Sequence, residues 1–248
     1  MDADVPREDA LTLAAIGVLA YVCCDLFHEL AGHGAACLVT GGRAGSVSAF
    51  HLQCFGGWQG LVCSAGILAN LALAAIAWLV LRHLDRASPH RARFLWLLLA
   101  YNAFTGFGNI VTSSLANAGD LANAFRGIGW NWRPWMVAIG FTGYVLALLV
   151  VRRCAPLLTW RNILIPYFAV AAAGCAAAVL NTVVGFRSAL ISGVSTTLGC
   201  WGFLLLAPIQ RGGAVAGEKL PRSGVWISAA AVFLAGFIFL LGPGHRFR

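Results

Sequence analysis

The chain has 248 residues, of which 60% are hydrophobic and only 10% charged, and its mean hydropathy is +0.80. A soluble domain carries roughly 25% charged residues, so this balance excludes an ordinary soluble fold and points to a polytopic membrane protein. The formal net charge of +8 then reads as positive charge flanking membrane segments, with no nucleic-acid partner implied.

In chain order, the opening MDADVPRED is acidic where a secretory signal needs a basic start, so no cleavable signal peptide is expected. Seven apolar stretches follow, at about 11–39, 58–82, 94–113, 136–151, 164–185, 188–209 and 224–242. Each is near the roughly 20 residues that cross a bilayer core, with 136–151 short. The expectation is an all-α transmembrane helix bundle of six or seven spans, forming one integral membrane domain. Its core would occupy about 11–125, with additional spans over about 136–242.

Residues 44–57, AGSVSAFHLQCFGG, are too short to cross and too rich in Gly for a firm helix. They read as a re-entrant or interfacial hairpin after the first span, sheltered so that its backbone polar groups are satisfied. Within the spans, small residues (SAGILANLALAA, AVAAAGCAAA, SGVSTTLGCWG) allow close helix packing where no hydrophobic drive acts between helices. Trp58, Trp130, Trp132, Trp135, Trp160 and Trp226 fall at segment ends, as an interfacial belt would.

Orientation follows from Lys and Arg. With seven spans, one side holds Arg7, Arg82, Arg86, Arg91, Arg93, Arg152, Arg153, Arg161, Arg211, Lys219 and Arg222. The other side holds Arg43, Arg126, Arg133, Arg187, Arg246 and Arg248. The bias predicts a cytoplasmic N-terminus and an external C-terminus. Most of the 8 Cys lie in apolar segments, and no C-x-x-C pair is present, so they read as small buried hydrophobes.

The first span, LTLAAIGVLAYVCCDLFHELAGHGAACLV, carries the chemistry. His28, Glu29 and His33 lie within six positions, with Asp25 three residues upstream. Ionisable groups at that depth are costly and mark a functional site by default. The pattern is close to H-E-x-x-H, in which two His bind zinc and Glu is the general base, but one extra residue separates the histidines. On an α-helix, residues four apart differ by about 40° and share a face, whereas residues five apart differ by about 140°. A π-bulge would absorb the insertion, and Gly32 and Gly34 beside His33 make the distortion cheaper. A hydrogen-bonded polar cluster is the competing reading.

HELAGHGAACLVTGGR followed by SAGILANLALA resembles the site-2 protease family of intramembrane zinc metalloproteases. That family shows H-E-x-G-H, a small-residue helix ending near Gly-Gly, and an A-G-P-x-A-N stretch on the next span. With Ala31 taken as an insertion, Gly32-His33 matches the Gly-His, and Gly41-Gly42 follows in register. Ala65-Gly66-Ile67-Leu68-Ala69-Asn70 matches the second motif, with Ile67 in place of Pro. A zinc dipeptidyl-peptidase family of unrelated soluble fold also uses H-E-L-x-G-H.

The resemblance covers roughly residues 20–125. It implies zinc as cofactor, His28 and His33 as ligands, and Glu29 as the base that deprotonates water. It also implies a membrane protein or membrane peptide as substrate, met within the lipid bilayer. Asn70 would hydrogen-bond substrate or intermediate, or else simply pack. The family's third ligand is an Asp in a later Asn/Pro-rich stretch. The nearest equivalent is Asp120, the sole acidic residue between Asp85 and Glu218; a solvated loop Asp or a helix cap is the alternative.

His51 could close a three-His site or be an interfacial polar residue. His83 and His90 read as solvated beside headgroups, and Cys23 and Cys24 as soft ligands or buried thiols. Two other functions stay open: a non-catalytic scaffold or regulatory protein keeping the same fold, and a membrane metal-dependent oxygenase or metal or proton carrier. An oxygenase needs several His boxes for iron, and one cluster is present.

Overall fold

The computed structural model of the chain describes residues 8–83, 88–155, 159–191 and 220–247. Six helices in it are long and apolar enough to cross a membrane. The first is continuous over Ala10–Val39 and has three parts: α1 (Ala10–Leu26), a π-helical stretch π1 (Phe27–Gly34) and α2 (Ala35–Val39). The next four are α3 (Gln59–His83), α4 (Pro89–Ala116), α6 (Arg133–Cys154) and α7 (Trp160–Val179). The short α5 (Asp120–Ala124) lies between α4 and α6. The last span joins α8 (Gly224–Ala235) to a second π-helical turn, π2 (Gly236–Leu241). The expected span at 188–209 lies largely outside the described residues.

Two expected boundaries move. Pro89, whose fixed φ suits a first helical turn, starts α4 ahead of the apolar run, because a helix needs no apolar residues once it leaves the core. The short stretch at 136–151 belongs to a helix of 22 residues, whose flanking Arg and Trp residues lengthen it without adding to the hydrophobic count.

The first span is the centre of the bundle. α1 packs on α4, α7 and α8, and π1 packs on α3. Its buried side chains include Leu13, Ile16, Tyr21 and Val22, which meet Trp96, Tyr101, Phe104 and Ile163 from the surrounding helices. The outer helices instead turn apolar side chains outward, as Phe141 and Leu146 on α6, Val232 on α8 and Phe239 on π2 show. Such faces suit contact with lipid.

At one end of the bundle the chain forms a small antiparallel sheet. β1 (Arg43–Ser48) pairs with β2 (His51–Phe55), with Val47 opposite Leu52 and an irregularity between Ala44 and Ser46. The expected hairpin is therefore a β-hairpin. A third strand, β3 (His245–Arg246), comes from the C-terminal tail and pairs with β1, so the spatial order is β2-β1-β3. A disulfide joins Cys37, at the end of the first span, to Cys54 on β2. This corrects the reading of Cys37, in the first apolar segment, as a small buried hydrophobe. The sequence contains no local signal for the bond, since folding alone brings the two positions together.

The opposite end is closed by the N-terminus. The Asp9 amide donates to the Leu220 carbonyl, the Ser223 amide donates to Thr12 Oγ1, and Arg93 pairs with Glu8. Asp9 caps α1, accepting from the Thr12 amide at 2.8 Å.

Candidate metal centre

The extra residue between the histidines is taken up by π1. In a π-helix the hydrogen bonds reach back five residues, and the Ala35 amide accordingly meets the Leu30 carbonyl. Five residues then make about one turn, so His28 and His33 share a face. Their rings stand edge to face with centroids 4.8 Å apart. Their Nε2 atoms are 3.2 Å apart.

The opposing wall is α3, made of small residues where it crosses π1. A Cβ added at Gly32 would stand 2.6 Å from Gly66 Cα, and one added at Gly66 would stand 2.6 Å from His33 Nε2 and 2.7 Å from His28 Nε2. The two glycines let the backbones touch and leave room for both imidazoles. From the same helix, the Val62 carbonyl accepts from His33 Nδ1 at 2.6 Å. A carbonyl can only accept, so Nδ1 carries a proton, and Nε2 is the ring atom that would offer a lone pair to a metal.

Asp120 completes the group. Asn117 and Gly119 both adopt positive φ, turning the chain after α4 so that Asp120, the first residue of α5, comes back onto the histidines. Its Oδ2 lies 3.0 Å from His28 Nε2 and 3.6 Å from His33 Nε2. Asn109 Nδ2 on α4 donates to the same oxygen at 3.0 Å, and Ser113 Oγ donates to Asn109 Oδ1 at 2.8 Å. Burial alone would raise the Asp120 carboxyl. The hydrogen bonds and positive charge of His28 and His33 outweigh it and hold the group below the usual carboxylate range.

The side chains of His28, His33 and Asp120 are 12%, 8% and 27% exposed, so solvent reaches the group from the Asp120 side. The three facing atoms are separated by 3.0, 3.2 and 3.6 Å. A tetrahedral zinc site with bonds of about 2.0–2.1 Å has edges of about 3.3 Å. The triangle therefore fits one metal ion with a fourth position open, and these are the residues among those described that could hold one.

Glu29 is buried next to His28, in the field of both histidines, Asp120 and His51. Asn70 is fully buried one turn beyond Gly66 on α3, and neither end of its amide has a hydrogen-bond partner among the described residues. His51 stays exposed on β2, outside the triangle, while Leu52 on the same strand packs near Gly34 of π1. Cys23 and Cys24 lie outside the group and join no disulfide among the described residues, and Cys24 Sγ is 3.9 Å from Thr105 Oγ1. His83 is exposed at the end of α3, and His90 stacks on Trp226.

Sequence reasoning missed Val62 and Ser113, and it placed Gly66 in the second motif and Asn109 at the head of the stretch leading to Asp120 without giving either a role. Asn109 and Ser113 do sit in the stretch that leads to Asp120, at a spacing of four on one helix face, which was the available signal. No protein-family model matches this chain, and no curated protein or solved structure matches it.

Proposed function

We propose that this protein is a zinc-dependent intramembrane metalloprotease, similar in chemistry to the site-2 proteases, that hydrolyses peptide bonds in or near membrane-spanning segments. The observation that carries the reading is the triangle of His28 Nε2, His33 Nε2 and Asp120 Oδ2, with edges matching a tetrahedral site. Two imidazoles and a carboxylate are a donor set suited to zinc, and three protein ligands with one open position are the pattern of catalytic sites. When bound, zinc polarises a carbonyl and lowers the pKa of water to about 7.

The chain's own residues supply the rest. Glu29, beside His28 and buried, takes the proton of the attacking water and returns it to the leaving amine. Asn70, whose amide has no partner among the described residues, offers a donor to the substrate carbonyl. Gly66 keeps the space in front of the imidazoles clear. Access from the side of Asp120 brings water to a centre whose histidines are nearly enclosed.

The N-terminus is proposed to be cytoplasmic. Two observations support this orientation: the excess of Lys and Arg on the N-terminal side and the Cys37–Cys54 disulfide at the opposite end, since such bonds persist in oxidising compartments.

The test is metal content by mass spectrometry on detergent-purified protein, beside cleavage of a membrane-peptide substrate. Wild type is expected to hold about one zinc per chain, lost in His33→Ala and Asp120→Ala. Glu29→Gln is expected to keep the metal and lose hydrolysis. Folded wild type without metal would assign the triangle to a hydrogen-bonded cluster in a non-catalytic scaffold. Unchanged cleavage by Glu29→Gln would remove that residue's assigned role.

A further inference from the structure

Of the three residues in the triangle, Asp120 is the one most able to turn away. It begins a helix of only 5 residues, and its side chain is 27% exposed against 12% for His28 and 8% for His33. Yet, among the described residues, every polar contact of its carboxyl is made by Oδ2: His28 Nε2 at 3.0 Å, His33 Nε2 at 3.6 Å and Asn109 Nδ2 at 3.0 Å. A carboxylate oxygen offers about two lone pairs. The Asn109 N–H takes one, which leaves another for the side of the histidines.

Asn109 is itself oriented. An amide carries an acceptor at one end and donors at the other, and an ionised carboxylate only accepts. Nδ2 therefore faces Asp120, and Oδ1 is left for Ser113, one turn along the same helix face, whose Oγ donates to it at 2.8 Å. Serine and threonine inside a helix commonly return the hydroxyl to the carbonyl four residues back. Thr112 and Ser114 do so, to Gly108 at 2.9 Å and to Ile110 at 2.7 Å. Ser113, buried between them, spends its hydroxyl on the Asn109 side chain instead. The same hydroxyl lies against the turn that delivers Asp120, since a Cβ added at Gly119 would stand 3.0 Å from Ser113 Oγ.

We propose that Ser113 and Asn109 are positioning residues of the metal centre that act in series. Ser113 sets the Asn109 amide, and Asn109 holds Asp120 Oδ2 toward His28 and His33 instead of letting the carboxyl turn to solvent. The series explains why α4 carries an amide and a hydroxyl at a spacing of four within a span, where polar groups are costly without partners. It rests on the metal centre proposed above.

The experiment measures zinc affinity in detergent by competition with a chromogenic chelator, for wild type, Asn109→Leu, Ser113→Ala, Ser113→Thr and the double variant Asn109→Leu/Ser113→Ala. A single gel-filtration peak and the intact Cys37–Cys54 bond serve as controls for folding, and Asn109→Ala replaces Asn109→Leu where the latter fails them. Asn109→Leu, without a donor, is expected to lose about 10–100-fold in affinity. Ser113→Ala is expected to lose about 2–10-fold, the effect of one hydrogen bond, and Ser113→Thr, which keeps the hydroxyl, to recover it. The double variant is expected to be no weaker than Asn109→Leu alone, because Ser113 acts through Asn109. A merely structural role produces neither the rescue nor this lack of additivity. Wild-type affinity in folded Asn109→Leu would overturn the proposal. So would additive losses in the double variant, which would assign Ser113 to packing on the turn at Gly119. Wild type without zinc would overturn the metal reading, and this inference with it.

Discussion

Gly66 shows how one residue decides whether the histidines can act. In an ordinary helix, Gly→Ala stabilises by about 1 kcal/mol. Here the new methyl would sit 2.6 Å from His33 Nε2 and 2.7 Å from His28 Nε2, well inside contact distance. The two effects oppose each other, and the steric one acts on the imidazoles themselves. Gly66→Ala is therefore expected to abolish zinc binding while the thermal midpoint in detergent is kept or falls only slightly. Equal zinc content in variant and wild type would show that the imidazoles do not converge in front of Gly66.

Among the elements, π1 and the hairpin work together. The π-helical stretch turns a five-residue spacing into a shared face, and the hairpin covers its flank through Leu52 near Gly34. The Cys37–Cys54 bond ties the end of the first span to β2 across a separation of 17 residues. Closing a loop of that length contributes about 3 kcal/mol. In the double variant Cys37→Ser/Cys54→Ser, the thermal midpoint is expected to fall by several degrees. In wild type, alkylation under denaturing conditions is expected to add two further labels only after reduction. Full labelling without reductant would show that the bond is absent.

For the whole molecule, the two ends of the bundle differ in charge and chemistry. The end closed by Glu8, Arg93 and Leu220 is the one richer in Lys and Arg, whereas the sheet and the disulfide lie at the other. β3 fastens the C-terminal tail to β1, so that tail lies on the same side as the group of His28, His33 and Asp120. A membrane-impermeant maleimide is expected to label intact cells carrying a cysteine introduced at Arg246, and to leave one introduced at Arg153 unlabelled until the cells are opened. The reverse pattern would invert the proposed orientation.

Much of this arrangement was legible in the sequence. Span positions depend on local hydropathy, which reports burial in a bilayer directly, and the turn-rich stretch at 44–57 announced a hairpin. The cluster of His28, Glu29 and His33 stood out because charge within an apolar run is costly, and the flanking glycines allowed a π-bulge to be foreseen. By contrast, the pairing of Cys37 with Cys54, the strand at His245–Arg246, the touching backbones of Gly32 and Gly66, and the support of Asp120 by Asn109 were decided by tertiary structure alone. Each joins residues whose sequence neighbourhoods say nothing about one another. Local physics chooses helix, turn and polarity along the chain, whereas convergence on a single point depends on how helices cross, and only the packed bundle specifies that crossing.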